Sequence, residues 1–155
     1  HNDTKINNIL FNKQGEVLCA IDLDTVMAST SLNDFGDAIR SYANTGDEDD
    51  RDLSRVGLSL EMFRAYTEGY LSQRAKQLTD SEIDHLAFSA RYITFEQVLR
   101  FLMDYIDGDT YYKVKYPGHN LVRTHAQYRL LQSMEEHYGE MCRIVDGIAA
   151  KYRNA

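Results

Sequence analysis

The sequence predicts a mainly α fold in which a short β-hairpin is followed by a helical bundle. Three observations carry this. Two short apolar runs near the start flank a polar turn that contains glycine. From Ser59 onward, apolar residues recur at i, i+3 and i+4 spacing almost to the end. There is no alternation of strand and helix patterns, no Rossmann glycine fingerprint and no GxxxxGK[ST] phosphate loop.

The elements follow in order. Ile9–Phe11 and Glu16–Ile21 read as strands around the turn Asn12-Lys13-Gln14-Gly15. Asn33 and Asp34 are cap-type residues ahead of a short helix, Phe35–Ala43. The acidic run ANTGDEDDRD reads as a solvated loop. Ser59 caps a helix whose inner side is Leu60, Phe63, Tyr66, Thr67, Tyr70 and Leu71. Thr79 and Glu82 form a capping box at the head of a long helix that runs to about Ile106. Its inner side is Ile83, Leu86, Ala90, Ile93, Thr94, Gln97, Val98, Phe101, Leu102 and Tyr105, and Gly108 fits its end. Asn120 is the expected cap of a last long helix that reaches about Tyr152.

The chain has 155 residues, 43% of them hydrophobic, enough for one domain with a real core. Its net charge of −7 argues against a nucleic-acid-binding surface, which needs a basic footprint. No apolar run is long enough for a helical membrane span. Cys19 and Cys142 have no CxxC or zinc spacing and read as two reduced thiols. The five histidines form no metal-binding spacing, and His119 and His125 read as surface or packing residues.

The chemistry is in HNDTKINN. His1, Asp3 and Asn8 fit His-x-Asp-x-x-x-x-Asn, the spacing of a kinase catalytic loop. There the aspartate accepts the proton of the acceptor hydroxyl, and the asparagine oxygen holds a magnesium ion on the nucleotide phosphates. A loop of fixed length presents both into one cleft. The hairpin leads on to Ile21-Asp22-Leu23-Asp24, where a second metal-binding carboxylate belongs. Residues i and i+2 share a strand face, so Asp22 and Asp24 compete for that place. Arg100, on the apolar stretch VLRFLMDY, needs either a ligand or a salt bridge to Asp104, Asp107 or Asp109. Tyr111 could stack on a ligand or simply pack, being one of 11 tyrosines.

The ordered blocks HNDTKINNIL, VLCAIDLDTV and DFGDAIR resemble the aminoglycoside phosphotransferase and choline kinase-like group, whose fold is protein kinase-like. In that group the second motif reads Ile-Asp followed by an apolar or aromatic residue, so the DFG of NDFGDAIR is a decoy. The resemblance implies that Asp3 is the catalytic base and that Asn8 and Asp22 bind Mg2+, with ATP as co-substrate. Asp37 matches a supporting residue in the following helix, and His1 and Asp24 also read as supporting. The longer blocks IDLDTVM and RFLMDYIDGDTYYKV are similar to N-acetylhexosamine 1-kinases, over His1 to about Val145. These phosphorylate the anomeric hydroxyl of N-acetylglucosamine or N-acetylgalactosamine in bacteria that salvage mucin or host-glycan sugars. By that resemblance Arg100 and Tyr111 contact the amino sugar, and the protein works in the cytoplasm.

The motif starts at the first residue, so the 155 residues are expected to form the C-terminal lobe of such a kinase. The nucleotide lobe and its strand lysine would lie outside them. The lobe alone is then expected to be inactive, with His1 and Asp3 near a loose end. Apolar hairpin residues such as Ile9, Phe11 and Val17 would be open for self-association. Two other readings stand beside this one. One is a kinase of the same fold acting on an aminoglycoside, choline or homoserine, and the other is a non-catalytic helical binding module. Sulfatase chemistry is not supported. It needs a Cys or Ser ahead of a Pro-Ser-Arg run, and the only proline, Pro117, is followed by glycine.

Overall fold

The structure is a computed structural model and describes residues 1–153. It is mainly helical, with a two-stranded antiparallel hairpin followed by helices. Strands β1 (Ile9–Phe11) and β2 (Val17–Ala20) pair Ile9 with Ala20 and Leu10 with Cys19, and the register is irregular after Leu10. The turn closes as its residues dictate. Asn12 Oδ1 accepts the backbone N–H groups of Gln14 and Glu16, and Gly15 supplies a φ of 82°. All four β2 residues are exposed, so the ribbon has no core of its own.

The helices are α1 (Ser31–Tyr42), α2 (Leu60–Arg74), α3 (Asp80–Asp84), α4 (Leu86–Ile106), α5 (His119–Glu136) and α6 (Tyr138–Arg153). Ser59 accepts from Met62 N, and Thr79 and Glu82 form the expected capping box. Gly108, with φ 88°, follows the end of α4.

Five expectations need correction. Helix α1 starts four residues before Phe35, because Thr30 rather than Asn33 or Asp34 caps it, accepting from Leu32 N. The helix expected from Thr79 to Ile106 is broken at His85, and the one expected from Asn120 to Tyr152 is broken at His137. At both breaks the histidine Nδ1 bonds the carbonyl four residues back, Ser81 O at 2.7 Å and Ser133 O at 2.8 Å. At His85 the ring takes a carbonyl that the helix ladder would otherwise use, and at His137 it shares one with the backbone N–H, without a glycine or proline to announce either break. Asn120 caps nothing. It lies fully buried inside α5, and Gly118 stands at the N-cap with no side-chain bond. On α4, Asp104 is buried and Tyr105 is exposed, the reverse of the expected inner side.

The core forms where α1 crosses α2 and α4. Phe35, Ile39, Phe63, Leu71, Leu86 and Leu130 are fully enclosed, each worth about 1.5–3 kcal/mol of burial. Helix α4 runs between α1 and α5, and α6 covers α2 and α3. The α1–α4 contact is backbone-close at Gly36. A Cβ there would stand 2.5 Å from Ser89 O and 2.7 Å from Ile93 Cγ1. Thus the DFG tripeptide belongs to helix packing: Phe35 fills the core and Gly36 allows the crossing. Among the described residues no helix is long and apolar enough to cross a membrane. Cys19 and Cys142 are both free.

Candidate active site

One broad cleft of about 950 Å³ opens between the loop at residues 1–8, the segment after the hairpin, and the cleft-facing sides of α1, α4 and α5. Asp3, Asp22, Asp24, Asp37, Arg100 and Tyr111 all line it. Asn8 is buried at its edge, 4% exposed.

Far from being loose, the loop is pinned at several points. Asp34, near the start of α1, accepts the backbone nitrogens of Asn2 at 2.7 Å and His1 at 3.2 Å. Thr4 Oγ1 donates to Asp34 O, and Ser41 Oγ accepts from Ile6 N. His1 Nε2 lies 3.0 Å from Ile21 O, and Thr25 Oγ1 donates to His1 O. His1 is therefore a bridge between the loop and the segment bearing Asp22. Asp34 is the anchor the sequence reading missed. Its signal was present in LNDF, but the residue looked like a helix cap.

Asn8 Nδ2 donates to Asp3 O and to Asp3 Oδ2, each at 2.9 Å. Both amide hydrogens are spent on Asp3, which leaves the Asn8 oxygen as the free end. Ile21 N donates to Asn8 O at 2.9 Å, so the hairpin register brings Asp22 back beside Asn8. The two aspartates after β2 are not on one strand face. The strand ends at Ala20, Asp22 takes a left-handed φ of 61°, and Leu23–Thr25 forms a 3-10 turn. Asp22 makes no hydrogen bond or ion pair among the described residues. Asn2 and Asp109 are likewise left-handed. Such non-glycine positions cluster where a loop is over-determined by its surroundings, as functional loops are.

Lys5 is a second residue that sequence reasoning passed over. Its Nζ lies 2.8 Å from Asp3 Oδ2. Burial opposes its charge, yet Asp3 directly, with Asp22 and Asp37 through charge alone, holds the ammonium above its ordinary value. Asp3, Asp22 and Asp37 thus all act on this one cation.

Asp37 faces the cleft wall from α1. Its Oδ1 accepts both Nε and Nη2 of buried Arg40, at 3.0 and 2.8 Å. Arg40 Nη1 reaches Glu48 at 2.7 Å and Gln127 Oε1 at 3.3 Å. The acidic run is solvated only in part: Asp47, Glu48, Arg51 and Asp52 are exposed as expected, but Asp50 is buried and some of the run's carboxylates are held by the fold. Glu48 is held by Arg40, Asp49 by Lys115 and His119, and Asp47, Glu48 and Asp49 line the cleft. Hydrogen bonds from Lys115 and then His119 pull the Asp49 carboxyl down to about 2. His119 is fully buried, with Nδ1 accepting from Lys115 N and Nε2 donating to Asp49.

Arg100 makes none of the three expected salt bridges. It is exposed, 5.7 Å from the Tyr112 ring. Asp104 is instead engaged by Tyr111 N at 2.7 Å, Tyr112 N at 3.0 Å and Asn120 Nδ2 at 2.7 Å. Those bonds fix the turn that carries Tyr111, which is 74% exposed with its ring edge against Tyr112. The structure therefore brings Asp3, Asp22, Asp24, Asp37, Arg100 and Tyr111 to one cleft, while Asn8 and His1 do not line it and reach it through their bonds to Asp3 and Ile21. No protein-family model matches this chain.

Proposed function

We propose that this chain carries the catalytic loop and acceptor side of a small-molecule kinase that transfers phosphate from ATP to a sugar hydroxyl. The observation that carries the reading is the join of Asp3, Asn8 and Asp22. One residue's amide holds the other's carboxylate, and the hairpin returns the third beside them. Asp3 orients the acceptor hydroxyl and takes its proton. Lys5 adds positive charge beside it where phosphate charge would build.

The metal fits the donor chemistry. Asn8 has an unspent amide oxygen, and Asp22 is an unpaired carboxylate facing the cleft. Among the described residues no three His, Cys, Asp or Glu side chains form a metal group. Two protein oxygens suit magnesium, which usually completes its shell with water and substrate phosphates. Bound there, the ion would neutralise charge on the transferring phosphate.

For the acceptor, an N-acetylhexosamine phosphorylated at its anomeric hydroxyl is favoured over two cationic alternatives. The aromatic cluster at Phe101, Tyr111 and Tyr112 already has Arg123 at 5.3 Å from one ring and Arg100 at 5.7 Å from another, which disfavours a choline cation. Glu48 and Asp49 are already paired with Arg40 and Lys115, which weakens the case for an aminoglycoside. A neutral sugar can use the exposed Tyr111 face and the Arg100 fork. A reaction that consumes ATP would suit the cytoplasm.

The test is ADP release by a two-lobed kinase carrying this chain, supplied with Mg-ATP and N-acetylglucosamine, N-acetylgalactosamine, an aminoglycoside, choline or homoserine. Turnover with an N-acetylhexosamine, abolished by Asp3→Asn with the fold intact, is the expected result. Turnover that survives Asp3→Asn removes Asp3 from the role. Preference for another acceptor class transfers the reading to that substrate.

A further inference from the structure

Helix α4 has a second face that the cleft does not use. Phe88, Tyr92, Phe95, Leu99, Met103 and Ile106 are between 41% and 71% exposed, while Ala90, Thr94, Val98 and Phe101 are buried on the opposite side. Steps of three and four residues keep the exposed six on one stripe along the whole helix. Scattered exposed apolar residues need no explanation, but a continuous stripe of this length does. With roughly 200 Å² for each large side chain, these exposures leave on the order of 600 Å² open.

The stripe reads nearly the same in both directions about Gln97. Phe88 and Ile106 lie nine positions to either side, Tyr92 and Met103 five and six, and Phe95 and Leu99 two. A surface that is its own mirror along the helix fits a two-fold contact, in which each residue meets its symmetry mate's counterpart. The flanking charges agree. Glu96 and Arg100 border the stripe, and neither has an ion-pair partner among the described residues. Antiparallel apposition brings Glu96 of one copy within two positions of Arg100 of the other, twice. Two such faces would cover about 1,200 Å², the lower end of specific interfaces. The hairpin also exposes Leu10, Phe11, Val17 and Leu18, but on both faces of a short ribbon, so nothing there selects one docking direction.

We propose that the outer face of α4 is a docking surface for a second copy of this chain, packed antiparallel about a two-fold axis near Gln97. The pairing is of micromolar strength, because the area is modest and the charges are solvent-exposed. It stands apart from the kinase reading, since Asp3, Asn8 and Asp22 take no part, while Glu96 and Arg100 border both surfaces.

Sedimentation velocity of the 155-residue chain, up to about 100 µM, tests it. A concentration-dependent monomer–dimer equilibrium is expected. Phe95→Glu weakens the dimer at least about tenfold, with far-ultraviolet circular dichroism unchanged because the site is half-exposed. Glu96→Arg weakens it, and adding Arg100→Glu to Glu96→Arg restores it. These charge variants keep the test sound if Phe95→Glu fails to fold. A monomer at every concentration overturns the proposal. So does a dimer that survives Phe95→Glu, one dissolved by Val17→Glu on the hairpin instead, or a double charge variant no better than the single.

Discussion

Asp34 Oδ1 lies 2.7 Å from the backbone nitrogen of Asn2, closing a gap of 32 positions in sequence. That carboxylate, with Asp34 O and Ser41 Oγ, ties the loop bearing Asp3 to helix α1. Asp34→Ala should cost about 1–2 kcal/mol in urea unfolding, the loss of charge-assisted hydrogen bonds at a half-buried site. Amide exchange at Asn2 should rise by more than the global stability loss explains. Equal exchange in both proteins would show the loop to be held elsewhere.

Gly36→Ala should also destabilise, despite the higher helix propensity of alanine. The new methyl meets the backbone oxygen of Ser89 at 2.5 Å, an atom that cannot swing aside. Overpacking of about 1–3 kcal/mol outweighs a propensity gain of about 1 kcal/mol. Thermal denaturation reads the difference. An unchanged or higher midpoint would mean that the α1–α4 spacing yields.

The Asp49 carboxyl titrates near 2 in the fold against 3.8 ordinarily, through its bonds to Lys115 and His119. A depressed folded value contributes stability that is complete above the ordinary one and lost as pH falls toward the folded one. The stability gap between the native chain and Asp49→Asn should therefore be full at about pH 5 and gone near pH 2. Urea titrations across that window check it. A gap that persists at the acid end would point to shape rather than charge.

Asp104→Ala would strip acceptors from Tyr111 N, Tyr112 N and Asn120 Nδ2 together. We expect faster amide exchange at residues 110–112 and a lower unfolding midpoint. In a kinase carrying this chain, the acceptor KM should rise more than kcat falls, because the change loosens the turn bearing Tyr111 and leaves Asp3 untouched. A pure kcat effect would contradict that division of labour.

Much of the fold was legible because its signals are local. Ser59, the Thr79–Glu82 box and the Asn12 turn each satisfy backbone groups within four residues, and all formed as expected. Misses came where a residue's partner is remote. Asp34 looks like a cap until Asn2 is beside it, Asn120 until Asp104 is, and the acidic run looks wholly solvated until Arg40, Lys115 and His119 arrive. The breaks at His85 and His137 use a ring nitrogen where proline or glycine would have been readable. The candidate site was legible as spacing, since Asp3, Asn8 and Asp22 are ordered along the chain. Of its supporting residues, Asp34 reads only as a helix cap and Lys5 carries no role in the sequence.

The closeness of α1 to α4 at Gly36 also bears on how the cleft can move. With backbone against backbone, no compressible layer separates the helix that suspends the Asp3 loop from the helix that bears Arg100. Close packing of this kind favours movement of the two sides together. Any breathing of the cleft is left to the hairpin and to the acidic loop latched by Asp49, the parts whose holds are single hydrogen bonds and ion pairs.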